Sequence, residues 1–226
     1  MIKFPDSFKG RDGKADYDAI VNAPEKTIPI IQPIVQPTGD LSNFIYIPSI
    51  KLYVAKERTH LNKNWFDCHK ELQKEGNKML IIPEFIEFIK FLKSSNNQEY
   101  LNIYKDITEV RNPWRAEYLD ANFKFENNQL YILTENETKK EKLKECLMSD
   151  KIPGIDLEDY INSAHTKQGL PNKKVKDGNL YYYFPRSDNN SVAGFYASDS
   201  RAYLNCNWYP SFANSNLGVR VAKVGK

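Results

Sequence analysis

Apolar and polar positions change period several times along this chain, and each change marks an element. From Ile45 to Arg58 the residues Tyr46, Pro48, Ile50, Leu52 and Val54 recur at every second position, which predicts a strand. Thr59 to Asn64 reads as a helix start, and Trp65, Cys68, His69 and Leu72 then fall on one helical face, with Gly76 where a C-cap glycine belongs. A second helix is expected from Pro83. Glu84 and Glu87 suit its first turn, and Phe85, Ile86, Phe88, Ile89, Phe91 and Leu92 make an apolar face so broad that it implies deep burial. Ser94-Ser95-Asn96-Asn97 ends that helix, and beyond it the period changes. Glu117 to Thr134 reads as a hairpin turning at Asn127-Asn128. Thr138 to Met148 reads as a short charged helix, Asp156 to Ala164 as another, and Lys167 to Asp177 as a loop. Thereafter Leu180–Phe184, Ser191–Trp208 and Leu217–Val224 are strand-like. The expected class is α+β: two helices on a small antiparallel sheet, with N- and C-terminal strands close together.

Residues 1–44 have a different character. Pro5, Pro24, Pro29, Pro33 and Pro37 remove backbone donors, so this part is expected to be an extended N-terminal segment wrapping a domain that runs from 45 to 226. Its start lacks the apolar core of a secretory signal, and no apolar run approaches the roughly 20 residues of a membrane helix. The cytoplasm is favoured on that ground, with surface display or a virion left open. A net charge of +3 in 226 residues gives no electrostatic reason to expect nucleic acid as partner. Cys68, Cys146 and Cys206 are too few and too widely spaced for a disulfide framework or a metal knuckle.

Composition adds one local anomaly. Lys and Glu are frequent in the chain, yet no Lys, Glu, Gln or Met occurs from Arg186 to Ala222. Within this stretch a frame of Gly194, Phe195, Arg201, Ala202, Leu204, Cys206, Trp208, Pro210 and Leu217-Gly218-Val219-Arg220 interleaves with Tyr203, Asn205, Asn207 and Tyr209 and a run from Ser211 to Asn216. Strand alternation puts Ala202, Leu204, Cys206 and Trp208 on a core face, with Trp208 its largest anchor, and Tyr203, Asn205, Asn207 and Tyr209 on a solvent face.

The ending Gly-Phe … Arg-Ala-x-Leu-x-Cys-x-Trp-x-Pro … Leu-Gly-Val-Arg, over residues 191–222, resembles the variable proteins of diversity-generating retroelements, the archaeal ones most closely. That resemblance implies a C-type lectin fold of the branch that includes formylglycine-generating enzymes. It also implies a final segment rewritten by reverse transcription that alters template adenines, often in AAC codons. Such changes cannot yield Lys, Glu, Gln, Met or Trp. The positions it marks as diversified are Tyr196, Ser198, Asp199, Tyr203, Asn205, Asn207, Tyr209, Ser211, Ala213, Asn214, Ser215 and Asn216. Phe212 is compatible with the codons and also with a core position. The expected partner is a macromolecule, a protein first, since Tyr gives rigid contact area and Ser and Asn give adaptable hydrogen bonds. A monomer is favoured, and no cofactor is implied.

Other chemistry is weaker. His60, Asn64 and Cys68 recur every fourth residue beside His69, but a structural metal site needs four good ligands and a buried thiol at a helix start is the simpler reading. The Glu-Pro-Asn, Gln-Pro-Asp and Trp-Asn-Asp tripeptides of calcium-dependent lectins are absent. An enzyme derived from the formylglycine-generating type needs a reactive Cys206, which alternation places in the core. A receptor-binding or structural subunit of a virus is the other alternative. In Tyr181-Tyr182-Tyr183-Phe184 the side chains alternate in direction, two toward the core and two toward the surface.

Overall fold

The computed structural model describes residues 40–143, 152–186, 190–198 and 201–224. The proline-rich N-terminal extension therefore lies almost wholly outside the described residues. So do Asp199, Cys146 and the far end of the helix expected over Thr138–Met148.

The alternating segment near residue 50 forms two strands, β1 (Phe44–Ile47) and β2 (Leu52–Thr59), because the chain turns back at Pro48–Lys51 and pairs the two antiparallel. Lys51, at φ 55°, takes the left-handed position of that turn. Helix α1 (Trp65–Lys74) starts at Asn64, whose side chain accepts the Asp67 N–H. It stops where Gly76 (φ +69°) lets the Asn77 N–H reach the Leu72 carbonyl at 2.8 Å. A two-residue strand β3 (Lys78–Met79) leads to helix α2 (Ile82–Ser94). Glu84 accepts the Ile81 N–H there, and Ile82, Phe85, Ile86, Phe88, Ile89 and Leu92 are all buried. At about 1.5–3 kcal/mol per side chain, this one face supplies a large share of the drive to fold.

A further helix, α3 (Gln98–Thr108), follows at once where the sequence reading has no element. Asn97 caps it, and its inner side is the i, i+3, i+4, i+7 set Tyr100, Ile103, Tyr104 and Ile107. Strands β4 (Arg115–Glu126) and β5 (Gln129–Thr134) make the expected hairpin, with Asn127 and Asn128 both at positive φ as a tight primed turn requires. The expected charged helix is a strand at its start: β6 (Lys139–Lys142) pairs with β5. Alternating Lys and Glu give no apolar stripe to bury as a helix. As an edge strand they place Lys140 over the Tyr131 ring at 4.4 Å, and charged side chains along an edge resist further pairing. Beyond a short strand β7 (Ile152–Ile155), helix α4 (Leu157–Asn162) starts as expected at Asp156, which accepts the Asp159 N–H. The last strands are β8 (Leu180–Tyr183), β9 (Ser191–Ser198), β10 (Arg201–Trp208) and β11 (Leu217–Val224).

Counted among the described residues, eleven strands form one sheet in the order β1-β2-β11-β4-β9-β10-β8-β7, with β3 on β11 and β5–β6 continuing from β4. The expected small, all-antiparallel sheet is thus corrected: β11 runs parallel to β4 and β10 parallel to β8. Parallel neighbours need long crossovers, and the chain from β4 to β11 provides one. The expected closeness of the two ends of the domain holds, since β2 pairs with β11. One sheet face packs on α2, α3 and α4 through residues such as Leu119, Phe123, Phe195, Leu204 and Cys206. The other face packs on α1 through Tyr118, Val192, Leu217 and Val219. No described helix is long and apolar enough to cross a membrane.

Candidate binding surface

The C-terminal anomaly folds as the β9–β10 hairpin, a loop over residues 209–216 and the central strand β11. Along β10 the alternation works as far as Cys206: Ala202, Leu204 and Cys206 are buried against the helices. Then the register slips. Asn205 pairs with Gly194 but Trp208 pairs with Val192, so β10 advances three residues against two of β9. This bulge turns Trp208 to the opposite face, a correction to its expected place in the helix-side core. The Asn205 side chain accepts the Asn207 N–H at 2.9 Å and supports the irregular step.

On that second face the aromatic side chains form a row. Tyr203 lies between Tyr181 (5.0 Å between centroids) and Tyr196 (4.6 Å, 2° between planes), with Tyr183 stacked at 6.1 Å. Tyr196 stacks on Trp208 at 5.4 Å and meets Trp114 edge-on at 5.9 Å. Trp208 reaches Tyr118 at 5.7 Å and Phe212 at 6.0 Å. Such offset and edge contacts add to simple burial and hold each ring in place. Tyr203 and Asn205 are on the expected face but not in solvent: neighbours leave them 7% and 6% exposed. Tyr196, Ser198, Asn207 and Trp208 are half-buried, and Tyr209 and Phe212 are exposed. Two cations edge the row, Arg201 over Tyr181 at 4.2 Å and Arg186 over Tyr209 at 4.5 Å. Tyr182, between Tyr181 and Tyr183, points to the helix side, as the alternation of that tetrad requires.

In the loop, Ser211, Ala213 and Ser215 are exposed and Asn214 and Asn216 half-buried. Its carbonyls, not its side chains, do most of the fastening. Pro210 O accepts the Trp65 N–H (3.0 Å), Asn214 O the Asn62 N–H (3.1 Å) and Asn216 O the Ala116 N–H (3.0 Å). The Tyr118 hydroxyl donates to Phe212 O, and burial raises that phenol's pKa. Arg58 donates through one nitrogen to both Ala116 O (2.7 Å) and Asn216 O (2.5 Å). Partial burial lowers its pKa, but a guanidinium stays charged. Sequence reasoning passes over Arg58, Tyr118, Trp65 and Glu117, since their partners lie 58 or more residues away or in another element.

The frame residues have specific duties. Arg220 and Glu117, both buried, make a two-bond ion pair (Nε–Oε2 3.0 Å, Nη2–Oε1 3.2 Å), and Arg220 also donates to the carbonyls of Ala55 and Lys56. Arg201 donates to Gly178 O at 3.0 Å. Gly194 lies under the Trp208 ring, where a Cβ would sit 2.1 Å from a ring carbon. Gly218 faces the Thr59 carbonyl, which a Cβ would meet at 2.4 Å. Phe195 packs on Phe85 at 5.0 Å between centroids. Leu204 and Cys206 are fully buried. The His60 group does not converge. His60 bonds Thr59 and Glu75, Asn64 caps α1, and Cys68 is buried with its thiol pushed up to about 12. No family model, no curated protein and no solved structure matches the chain.

Proposed function

We propose that this chain is a binding protein of the kind its C-terminus resembles: a variable protein of a diversity-generating retroelement, archaeal in type, with a C-type-lectin-like scaffold that displays a diversified surface. One observation carries the reading. From Tyr209 to Asn216 the candidate side chains are exposed or half-buried, while the main chain beneath them is held by backbone groups and by Arg58, Trp65 and Tyr118. Side-chain identity there is nearly free of the fold. The aromatic row next to it supplies rigid area, and preorganised rings reduce the entropic cost of association. A protein is the partner such a strip suits. Cys206, fully buried on the helix side, has no access to a substrate, which favours binding over a thiol-based enzyme.

The test reads DNA and binding together. The expected finding is a near-copy of the gene's 3′ end close by, differing mainly at adenines in the codons for the positions named above. Natural versions that differ at the exposed and half-buried positions among them are expected to fold alike and bind different proteins. A gene with no such copy, and with those codons fixed among relatives, overturns the proposal.

A further inference from the structure

A second site lies away from the aromatic row. His69 and Gln73 of α1, Asn77 and Lys78 at the corner after it, Asp120 of β4, and Glu135 and Asn136 of the β5–β6 turn line a cavity of about 270 Å³. On its wall His69 Nε2 and Asp120 Oδ1 stand 3.3 Å apart. The residues are 6% and 2% exposed, and neither atom has an aligned hydrogen bond to the other or to any described group. Buried polar atoms are nearly always bonded, so two facing the same cavity ask for an explanation.

The surroundings hold the pair there. Between Leu119 and Asn122 the register of β4 against β9 breaks, which takes Asp120 out of the ladder; its N–H goes to Leu80 O at 2.8 Å. Asp120 Oδ2 accepts the Asn136 N–H at 3.1 Å. That amide comes from a turn in which Glu135, Asn136 and Glu137 are all left-handed (φ 55°, 56° and 66°), an unfavourable run without glycine. The Trp65 ring packs on the His69 ring at 4.1 Å between centroids. The charges are one-sided. Lys78 is turned to Glu84 (2.5 Å), which leaves the carboxylates of Asp120 and Glu135 without a lysine or arginine partner in the lining; Asp120 faces the His69 ring instead. Among the described residues no three His, Cys, Asp or Glu side chains converge as metal ligands, so a metal ion is not the matching guest.

We propose that this cavity binds a primary alkylammonium group. Its three N–H donors match Asp120 Oδ1, His69 Nε2 as acceptor in its neutral tautomer, and Glu135 or the Gln73 carbonyl at the rim. The group is either a free alkylamine or the end of a lysine side chain. The site is independent of the proposed diversified surface and stands or falls separately.

The experiment titrates the isotope-labelled full chain by NMR with n-butylammonium chloride, with Nα-acetyl-lysine methylamide, and with n-butanol and tetramethylammonium as controls at constant ionic strength. Expected are saturable shifts of the His69 ring and the Asn136 amide with butylammonium and not with either control. A response to butylammonium alone assigns the site to free amines, and a response to the lysine derivative as well extends it to a protein side chain. Asp120→Asn should weaken binding by roughly ten-fold or more, as loss of a charge-assisted bond does. Glu135→Gln, on the exposed turn, should weaken it by about three-fold and tests the site even if Asp120→Asn fails to fold. Shifts that fail to appear by roughly 50 mM, well beyond millimolar affinity, overturn the proposal. So do equal shifts with butanol or tetramethylammonium.

Discussion

Gly194 and Trp208 act as one unit. The indole lies where a glycine side chain is missing, so Gly194→Ala must push the ring out of its stack with Tyr196. The expected loss is about 1–3 kcal/mol in urea unfolding, with reduced tryptophan burial in the same sample. Tyr203, buried at the centre of the row, behaves as core. Tyr203→Ala should cost roughly 3 kcal/mol, whereas Tyr209→Ala, 50% exposed, should stay within about 0.5 kcal/mol. A Tyr209→Ala variant that unfolds would show that the loop's side chains support the fold. Arg220→Met strands the Glu117 carboxylate in the interior, and thermal melts should show a loss on the order of 3–5 kcal/mol. At pH 8 a Cys68 thiol pushed up to about 12 is almost wholly protonated. Iodoacetamide should therefore spare it in the native protein and label it in urea, as peptide mass mapping will show.

At the scale of elements, what is legible in the sequence is what local punctuation specifies. Asn127-Asn128, Gly76, Pro83 and Asp156 each mark a turn or helix end through their own backbone chemistry, and the structure has those features there. Three things escape local reading. Helix α3 carries a helical spacing, but its Tyr100 and Tyr104 suit a strand as well, and Ile103 and Ile107 become informative once α2 lies beside them. Strand β6 is charged enough to imitate a helix, and its pairing with β5 decides the matter. The β10 bulge moves Trp208 across the sheet with no glycine or proline inside the strand to announce it, although Tyr203 and Asn205 keep the face that alternation gives them. The loop over 209–216 is an element in its own right. Replacing Ser211, Ala213 and Ser215 together should shift the unfolding free energy by less than about 1 kcal/mol, since exposed sites contribute little and add independently.

Over the whole molecule, the last strand is central. β11 lies between β2 and β4, carries Arg220 into the interior and pairs with β3 as well. A chain that stops before Leu217 should show no cooperative melt, because both flanking strands lose a partner. The parallel β11–β4 and β10–β8 pairs join residues far apart in sequence, so folding should take milliseconds to seconds, readable by stopped-flow fluorescence. The fastening of the 209–216 loop has a consequence for engineering. Its anchors donate to the loop's carbonyl oxygens, which every amino acid has, proline included. A combinatorial library spread over those positions would therefore lose few members to misfolding. Its restricted sites are Phe212 and Asn216, whose own N–H groups are bonded, and there proline is the residue to leave out.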